Sequence, residues 1–391
     1  FVFEETGLAD RVSTFVPQHP KLVHFPDAEE PAWIYRDPAE LEGELAKKSA
    51  ASREVEAFRA DETKVVTCLQ DGYRQAHPPS LDDAKRVLGN TLTDLWVSGS
   101  ARSLMDHYFT SEQSKLYMAM TVTESGPVSL DDPYSAFTAP LMDSGSIFGG
   151  YYGFVKGGIW QITEQLGRIN AELGVKTHLS CRLLGVDAAA GNAEYDQGGA
   201  SGQADFDYLV LATDPLTAAR MVRDDDQVKN VEGQRFTGSS GKLNLMFNNP
   251  VRWKHGSDAS DSDAAFRFIF SVSDIEEYEQ ATLKVLDVDN DYVPGYMQIY
   301  CEGAAMRQLG HDEPFDRLAV FFKNLSLRRN GSDLADVERY VSETLFDYID
   351  NPEDCVWTRL LAPKDLQQLF LFPGGNLDHT MLVGGQTFAD R

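Results

Sequence analysis

The chain has 391 residues, of which 42% are apolar and 11% aromatic, so it can bury a substantial core and divide into two lobes. Its formal net charge of -26 at pH 7 excludes nucleic acid and anionic lipid surfaces as electrostatic partners, because their phosphate groups would be repelled. No apolar run approaches the roughly 18 residues that a membrane-spanning helix needs.

The cysteines and histidines predict neither disulfides nor a metal site. Cys68, Cys181, Cys301 and Cys355 lie far apart, without a Cys-x-x-Cys pair and without histidines at zinc-ligand spacing. A reduced, intracellular protein is therefore expected. The cytoplasm is the favoured compartment, and the mitochondrial matrix stays open for a eukaryotic source.

Residues 1–140 predict a mostly helical lobe that follows an extended start. Pro38 fits the first turn of a helix, and Ser80 fits the N-cap of another. Thr110 and Gln113 are spaced as a capping box before a further helix.

The most informative stretch runs from Gly149 to Pro215 and begins with an aromatic and glycine-rich lead-in. Apolar residues from Ile159 to Leu173 recur at helical spacing, which predicts a helix with one buried face. Gly174 then stands where a left-handed C-cap is expected. The glycine pair before this helix lets backbone approach a flat ring system closely.

Short strands are predicted after this helix, at 176–179 and 182–187. The run Tyr208 to Ala212 is apolar throughout, which is typical of a strand buried on both faces. Asp214-Pro215 ends this run, since proline disfavours continuation of regular structure through the residue before it.

From Met221 onward the pattern changes to strands separated by acidic loops, with a helix near the end. Such a pattern predicts a sheet with helices on one side. The predicted strands are 242–247, 266–272, 296–301 and 318–322, and the predicted helix is 333–348.

Three motifs occur in an order that resembles a known family. They are Gly153–Ile159, Val210–Pro215 and Phe372–His379, the last preceded by a Leu-x-x-Pro-x-Asp-Leu type stretch at Leu360–Leu366. In order and approximate spacing they are similar to phytoene-desaturase-like, FAD-dependent oxidoreductases of the amine-oxidase superfamily. Asp378 departs from the aromatic residue common at that position in the family.

The resemblance implies an α/β chain with a two-lobed, amine-oxidase-like fold of the FAD-linked reductase type. It divides the chain into a helical lobe on the substrate side (1–140), the middle segment of an FAD-binding domain (141–220) and an α+β substrate domain (221–391). No Gly-x-Gly-x-x-Gly occurs, so the Rossmann-type FAD domain is incomplete: the N-terminal dinucleotide-binding fingerprint and the C-terminal FAD segment are lacking. An internal portion of a longer enzyme is the expectation.

The same resemblance assigns roles to individual residues. Residues carried over as FAD-binding are Gly157 and Gly158 beside the isoalloxazine, Leu183 at the adenine, and Ala212, Thr213 and Asp214 near the dinucleotide. Gly374, Gly375 and Asn376 are assigned to a substrate-side loop. His379 is the candidate catalytic residue, because an imidazole can move protons near neutral pH; the alternative is a histidine that bonds a loop carbonyl.

The implied function is a FAD-dependent dehydrogenase, desaturase or oxidase that transfers hydride from an apolar, polyene-like small molecule to flavin. The alternative is a catalytically silent relative that acts as a binding or assembly subunit. A hydrophobic small molecule is the expected partner, and peripheral membrane contact through an exposed apolar helix stays open. The oligomeric state and the electron acceptor are not predicted.

Overall fold

The computed structural model of the protein describes residues 2–17, 19–47, 51–75, 80–144, 153–255, 263–286, 292–311, 313–329 and 331–386. Residues 149–152 of the glycine-rich lead-in lie outside the described residues. None of the described helices is both long and apolar enough to cross a bilayer.

Helices and strands alternate irregularly along the described residues. The helices are α1 (Val2–Glu5), α2 (Pro38–Lys47), α3 (Ala51–Arg74), α4 (Leu81–Trp96), α5 (Ala101–Tyr108), α6 (Glu112–Val122), α7 (Thr138–Ser144), α8 (Trp160–Glu172), α9 (Pro215–Met221), α10 (Asp225–Glu232), α11 (Ile275–Leu283), α12 (Glu302–Gln308), α13 (Ser332–Phe346) and α14 (Pro363–Leu369). The strands are β1 (Thr14–Phe15), β2 (His19–His24), β3 (Ala32–Ile34), β4 (Phe154–Val155), β5 (Cys181–Asp187), β6 (Asn192–Gln197), β7 (Ala200–Asp205), β8 (Gly241–Phe247), β9 (Asp263–Phe270), β10 (Tyr296–Tyr300), β11 (Asp316–Phe322) and β12 (Cys355–Leu361).

A seven-stranded sheet in the order β12-β8-β11-β10-β9-β2-β3 organises the molecule. Its neighbouring strands are antiparallel except for β2 and β9, which are parallel. The four strands predicted between 242 and 322 are confirmed as β8, β9, β10 and β11. The division into three segments stays a prediction, and the sheet draws β2 and β3 from the first of them.

Helices cover both faces of this sheet, so the predicted one-sided arrangement is wrong. We call the face towards α3, α4, α5 and α6 the front face and the face towards α13 the back face. The physical reason is that the central strands are apolar on both sides, and each side must be buried. Front-face residues packed with these helices are Phe266, Phe268, Phe270 and Tyr296. Back-face residues packed with Val337, Val341 and Leu345 of α13 are Leu243, Leu245, Ile269, Met297, Ile299, Leu318 and Val320.

The middle segment folds beside this sheet as α8 and the meander β5-β6-β7. The predicted helix is confirmed, and Gly174 has the expected left-handed φ of 77°. Ile169 is buried and Ile162 and Leu166 are half-buried, whereas Ile159 and Leu173 are exposed, so the predicted buried face is present in the middle of the helix and absent at its two ends. The strand at 182–187 is confirmed, but 176–179 is an exposed loop.

Two of the three predicted helix starts in the first segment are confirmed. Helix α2 begins at Pro38, and Ser80 caps α4 through a capping box with Asp83. The box predicted at Thr110 and Gln113 is wrong, because α6 begins at Glu112. Thr110 instead donates a hydrogen bond of 2.7 Å from its hydroxyl to the Glu54 carboxylate.

Candidate functional site

The loop after α14 is held in place by Asn376. This side chain is 2% exposed, and its Nδ2 donates hydrogen bonds of 2.7 Å to the carbonyl oxygen of Ser125 and 3.2 Å to that of Thr237. Its Oδ1 accepts a hydrogen bond of 2.7 Å from the amide of Asp378. Asn376 therefore fixes the loop to the helical lobe and to the segment that leads into β8, since breaking these bonds would leave buried polar groups unpaired.

Gly374 and Gly375 let the same loop pass close to other backbone. Both have left-handed φ values, 59° and 66°. A Cβ on Gly374 would lie 2.4 Å from the carbonyl oxygen of Phe236, and one on Gly375 would lie 2.3 Å from that of Pro363. Glycine is required here by the packing of the loop itself, and the predicted contact of these residues with substrate stays a prediction.

Beside this loop lies an ion pair that crosses the front of the sheet. Lys323, at the end of β11, is 1% exposed; its Nζ donates a hydrogen bond of 2.9 Å to Ser240 Oγ and another to the carbonyl oxygen of Glu124. The ammonium group lies 3.6 Å from Glu124 Oε2, and the Tyr296 hydroxyl donates to Glu124 Oε1 at 3.1 Å. Burial lowers the pKa of Lys323, while the Glu124 charge acts in the opposite direction.

Lys323 and Glu124 were not among the residues predicted from the sequence. One signal was present, because Lys323 directly follows the apolar run Leu318–Phe322. A charged residue at the end of a buried strand needs a partner. That partner is 199 positions away along the chain, which local patterning does not reveal.

His379 lies at the end of the loop with one ring nitrogen unpaired. Its backbone has a left-handed φ of 66°, and its ring centroid lies 5.1 Å from that of Phe372. The Nδ1 atom is buried and has no hydrogen-bond partner among the described residues. The side chain thus offers a ring nitrogen that can form one more hydrogen bond, and its predicted catalytic role stays a prediction.

The glycine pair Gly157 and Gly158 forms a turn between β4 and α8. Their φ values are 79° and 108°, and the Gly158 amide donates to the carbonyl oxygen of Val155 at 2.9 Å. A Cβ on Gly158 would lie 2.9 Å from the Trp160 ring. No side chain caps the N-terminus of α8; instead, the amides of Gln161 and Ile162 donate hydrogen bonds of 3.1 Å to the carbonyl oxygens of Gly158 and Ile159.

An aromatic layer on the front face connects this turn to the sheet; it consists of Phe154, Phe266, Phe268, Tyr300 and Phe321. The Phe154 ring stacks on Phe266 with centroids 4.7 Å apart, and Phe266 meets Tyr300 edge-on at 5.0 Å. The layer continues across the strands because Phe268 of β9 and Phe321 of β11 both pair in register with the same residue of β10. Phe154, Phe266 and Phe268 are buried in the core, whereas Tyr300 and Phe321 are half-buried, so these two are the members of the layer that an apolar or aromatic molecule would meet first.

The remaining predicted residues lie in β5 and in the segment that leads into α9. Leu183 is half-buried in β5, opposite Tyr195. Ala212 and Thr213 are exposed. Asp214 is buried, and its carboxylate caps α9 by accepting a hydrogen bond of 2.9 Å from the amide of Thr217.

The buried strand predicted from Tyr208 to Ala212 is wrong. The segment is not a strand, and Tyr208 and Val210 are 94% and 88% exposed. A strand needs a neighbour to pair its backbone. The adjacent strand β7 ends at Asp205, and within the described residues no backbone hydrogen bond pairs residues 208–212.

Solved structures with this architecture superpose on more than nine-tenths of the chain. A redesigned putrescine oxidase superposes with a TM-score of 0.56 at 14% identity, covering 92% of this chain and 69% of that one. The chain has the fold of the amine oxidases. Cyclohexylamine oxidase from Brevibacterium oxydans gives a TM-score of 0.50 at 11% identity, covering 94% and 71%. A Pyrococcus furiosus protein gives 0.52 at 11% identity, covering 92% and 71%. Neither a protein-family profile nor a curated protein matches the sequence.

The two-lobed α/β fold allows a test of whether these residues fit FAD. The left-handed turn at Gly157 and Gly158 fits the close approach of a flavin ring to backbone, whereas the amides of Gln161 and Ile162 at the start of α8 already have backbone acceptors. Asp214 does not fit a phosphate, because its carboxylate already occupies the N-terminus of α9. The described residues therefore fit the flavin end of the cofactor and supply no pyrophosphate-binding turn of the Gly-x-Gly-x-x-Gly type.

Proposed function

We propose that this protein is a FAD-dependent oxidoreductase that removes hydride from an apolar, conjugated small molecule. The observation that carries the proposal is the stacking of Phe154 on Phe266. It joins the glycine turn at Gly157 and Gly158 to the aromatic layer within a few residues. The names of two solved structures with this fold, putrescine oxidase and cyclohexylamine oxidase, support oxidation as the reaction class.

Bound FAD would supply a hydride acceptor. The turn at Gly157 and Gly158 would hold its ring end. The aromatic layer would bind the apolar substrate and exclude water from the reacting carbon. When one carbon of the substrate loses hydride, the neighbouring carbon loses a proton and the electron pair of that second bond forms the double bond. His379, with its unpaired Nδ1, would accept this proton.

A binding or assembly role without catalysis is the second candidate. The segment from Tyr208 to Ala212 favours it, because Tyr208 and Val210 are large, exposed apolar residues and an exposed apolar patch is typical of a surface that binds another protein. An exposed segment of this kind can also occur in an oxidoreductase. Only a measurement of flavin reduction therefore separates the two candidates.

The test is anaerobic mixing of the FAD-loaded protein with a panel of apolar molecules, from saturated hydrocarbons to polyenes and their carbonyl derivatives. We expect conjugated members to bleach the visible flavin absorption. His379→Gln should slow this bleaching by about 100-fold, the scale of general acid–base catalysis, whereas His178→Gln, at an exposed position, should not. A flavin-loaded protein that none of the panel reduces would refute the proposed reaction.

A further inference from the structure

One buried side chain on the front face has a polar atom without a partner. Gln298 of β10 is 2% exposed, and its Nε2 has no hydrogen-bond partner among the described residues. An unpaired amide in this environment costs stability, because it gives up its hydrogen bonds to water and gains none in return. Such a residue is a candidate for binding a ligand whose acceptor completes the missing bond.

The register of the sheet places Gln298 in the middle of the aromatic layer. It pairs with Phe268 of β9 on one side and with Phe321 of β11 on the other, and residues paired in this way project from the same face. Phe321 pairs in turn with Lys242 of β8. Exposure rises along this row, from buried Gln298 to half-buried Phe321 and exposed Lys242, so the row opens towards solvent at β8.

A lysine lies at each end of the row formed by Phe268, Gln298 and Phe321. Lys21 Nζ lies 5.7 Å from the ring centroid of Phe268 and donates a hydrogen bond of 3.1 Å to the Tyr117 hydroxyl. Lys323 Nζ lies 4.8 Å from the ring centroid of Phe321 and is paired with Glu124. Glu124 offsets the charge of Lys323, so the preference for a carbonyl or carboxylate oxygen over a cation comes from the Gln298 Nε2 donor and from Lys21.

We propose that Gln298 is the polar recognition residue of the substrate site and donates a hydrogen bond to a carbonyl or carboxylate oxygen on an otherwise aromatic or conjugated molecule. This inference rests on the proposed function and narrows its substrate class to oxygen-bearing molecules without an ammonium group. Phe321 separates Gln298 from the open side of the row, and its side chain has to move when the ligand enters.

The test compares three small probes of nearly equal shape by ligand-observed NMR, on the protein with and without FAD. Acetophenone carries a carbonyl oxygen, α-methylstyrene replaces that oxygen by carbon, and the 1-phenylethylammonium ion carries a positive charge. We expect wild type to bind acetophenone about tenfold more tightly than α-methylstyrene, the scale of one good hydrogen bond. The ammonium ion should bind most weakly.

Gln298→Leu should abolish the preference for acetophenone and raise the thermal unfolding midpoint, because it removes an unpaired buried amide. Gln298→Met is the second variant if the leucine does not fold. Gln308→Leu, at an exposed position on α12, is the matched control and should keep the wild-type preference.

Each result decides between the two proposals. An unchanged preference in Gln298→Leu, or no binding of any probe to wild type, would overturn the role of Gln298. A preference that depends on Gln298 in a protein that fails to bind FAD would retain the recognition residue and refute the oxidoreductase. If the flavin is reduced by substrate but the Gln298→Leu variant keeps the preference for acetophenone, the recognition role of Gln298 alone is refuted.

Discussion

The side-chain amide of Asn376 donates a hydrogen bond of 2.7 Å to the carbonyl oxygen of Ser125, a residue 251 positions earlier in the chain. Through this contact the loop at the front of the sheet and the helical lobe are fastened together. The contact is buried, so water cannot replace it when one partner is removed.

Asn376→Ala should therefore lower the free energy of unfolding by about 1–3 kcal/mol, because it leaves buried carbonyl groups without a donor. Urea unfolding measures the change. Asn230→Ala, at an exposed position in α10, is the control and should stay within about 0.5 kcal/mol of wild type. Equal stabilities of the two variants would contradict the role assigned to Asn376.

Gly375→Ala and Gly385→Ala form a matched pair, since both residues have left-handed φ values, 66° and 77°. A Cβ on Gly375 would lie 2.3 Å from the carbonyl oxygen of Pro363, while one on Gly385 would have nothing within 4 Å. We expect Gly385→Ala to cost about 1 kcal/mol from backbone strain alone. Gly375→Ala should cost at least about 2 kcal/mol more, because the loop must move. A smaller difference between the two free energies of unfolding, measured with urea, would contradict the close packing of the loop at Gly375.

Lys323→Met should destabilise the fold by about 3–5 kcal/mol, because Glu124 would keep a poorly compensated charge in a mostly buried position. Lys85→Met, at an exposed position in α4, is the control. The double variant Lys323→Met/Glu124→Gln should lower the free energy of unfolding by at least about 1 kcal/mol less than the sum of the two single-variant decreases. Additive losses would show that the two groups do not interact.

His24 should make stability depend on pH below neutrality. It lies at the end of β2, where burial, Arg267 and His255 lower its pKa from 6.5 to about 3. Between these values the unfolded chain binds a proton that the folded chain does not. The free energy of unfolding therefore falls as the pH drops, by up to about 1.4 kcal/mol per pH unit from this group. Above 6.5 both states are neutral, and His24 adds no slope.

Urea unfolding at about pH 7.5 and about pH 5 measures this slope. His24→Gln removes the titrating group and should flatten the dependence. His178→Gln, an exposed control, should retain it. A wild-type slope in His24→Gln would show that other groups cause the loss of stability in acid.

The sequence predicted the strands of the large sheet better than their surroundings. Strands such as β8 and β11 are bounded by turns and are rich in β-forming residues, so local pattern identifies them. Which helices cover which face is a long-range property, and strands such as β10 that are buried on both faces give no alternation to read. The predicted strand at Tyr208 fails for the same reason, because pairing depends on a partner that local sequence does not specify.

Among the residues of the candidate site, too, the sequence predicted those with local signals and missed those defined by long-range contacts. Glycine residues such as Gly375 were found because motif and backbone conformation are linked at short range. Lys323, Glu124 and Gln298 were missed as site residues, because their significance depends on contacts between distant segments. Asp214 was found as a motif residue, but its local role as the cap of α9 accounts for its burial.

The most direct test of the central claim is the visible absorption spectrum of the purified protein after incubation with FAD and removal of unbound cofactor. We expect flavin bands that persist after gel filtration, in a ratio near one FAD per chain, and that are released on denaturation. A folded protein that elutes colourless after the same treatment would contradict the oxidoreductase and favour the binding or assembly role.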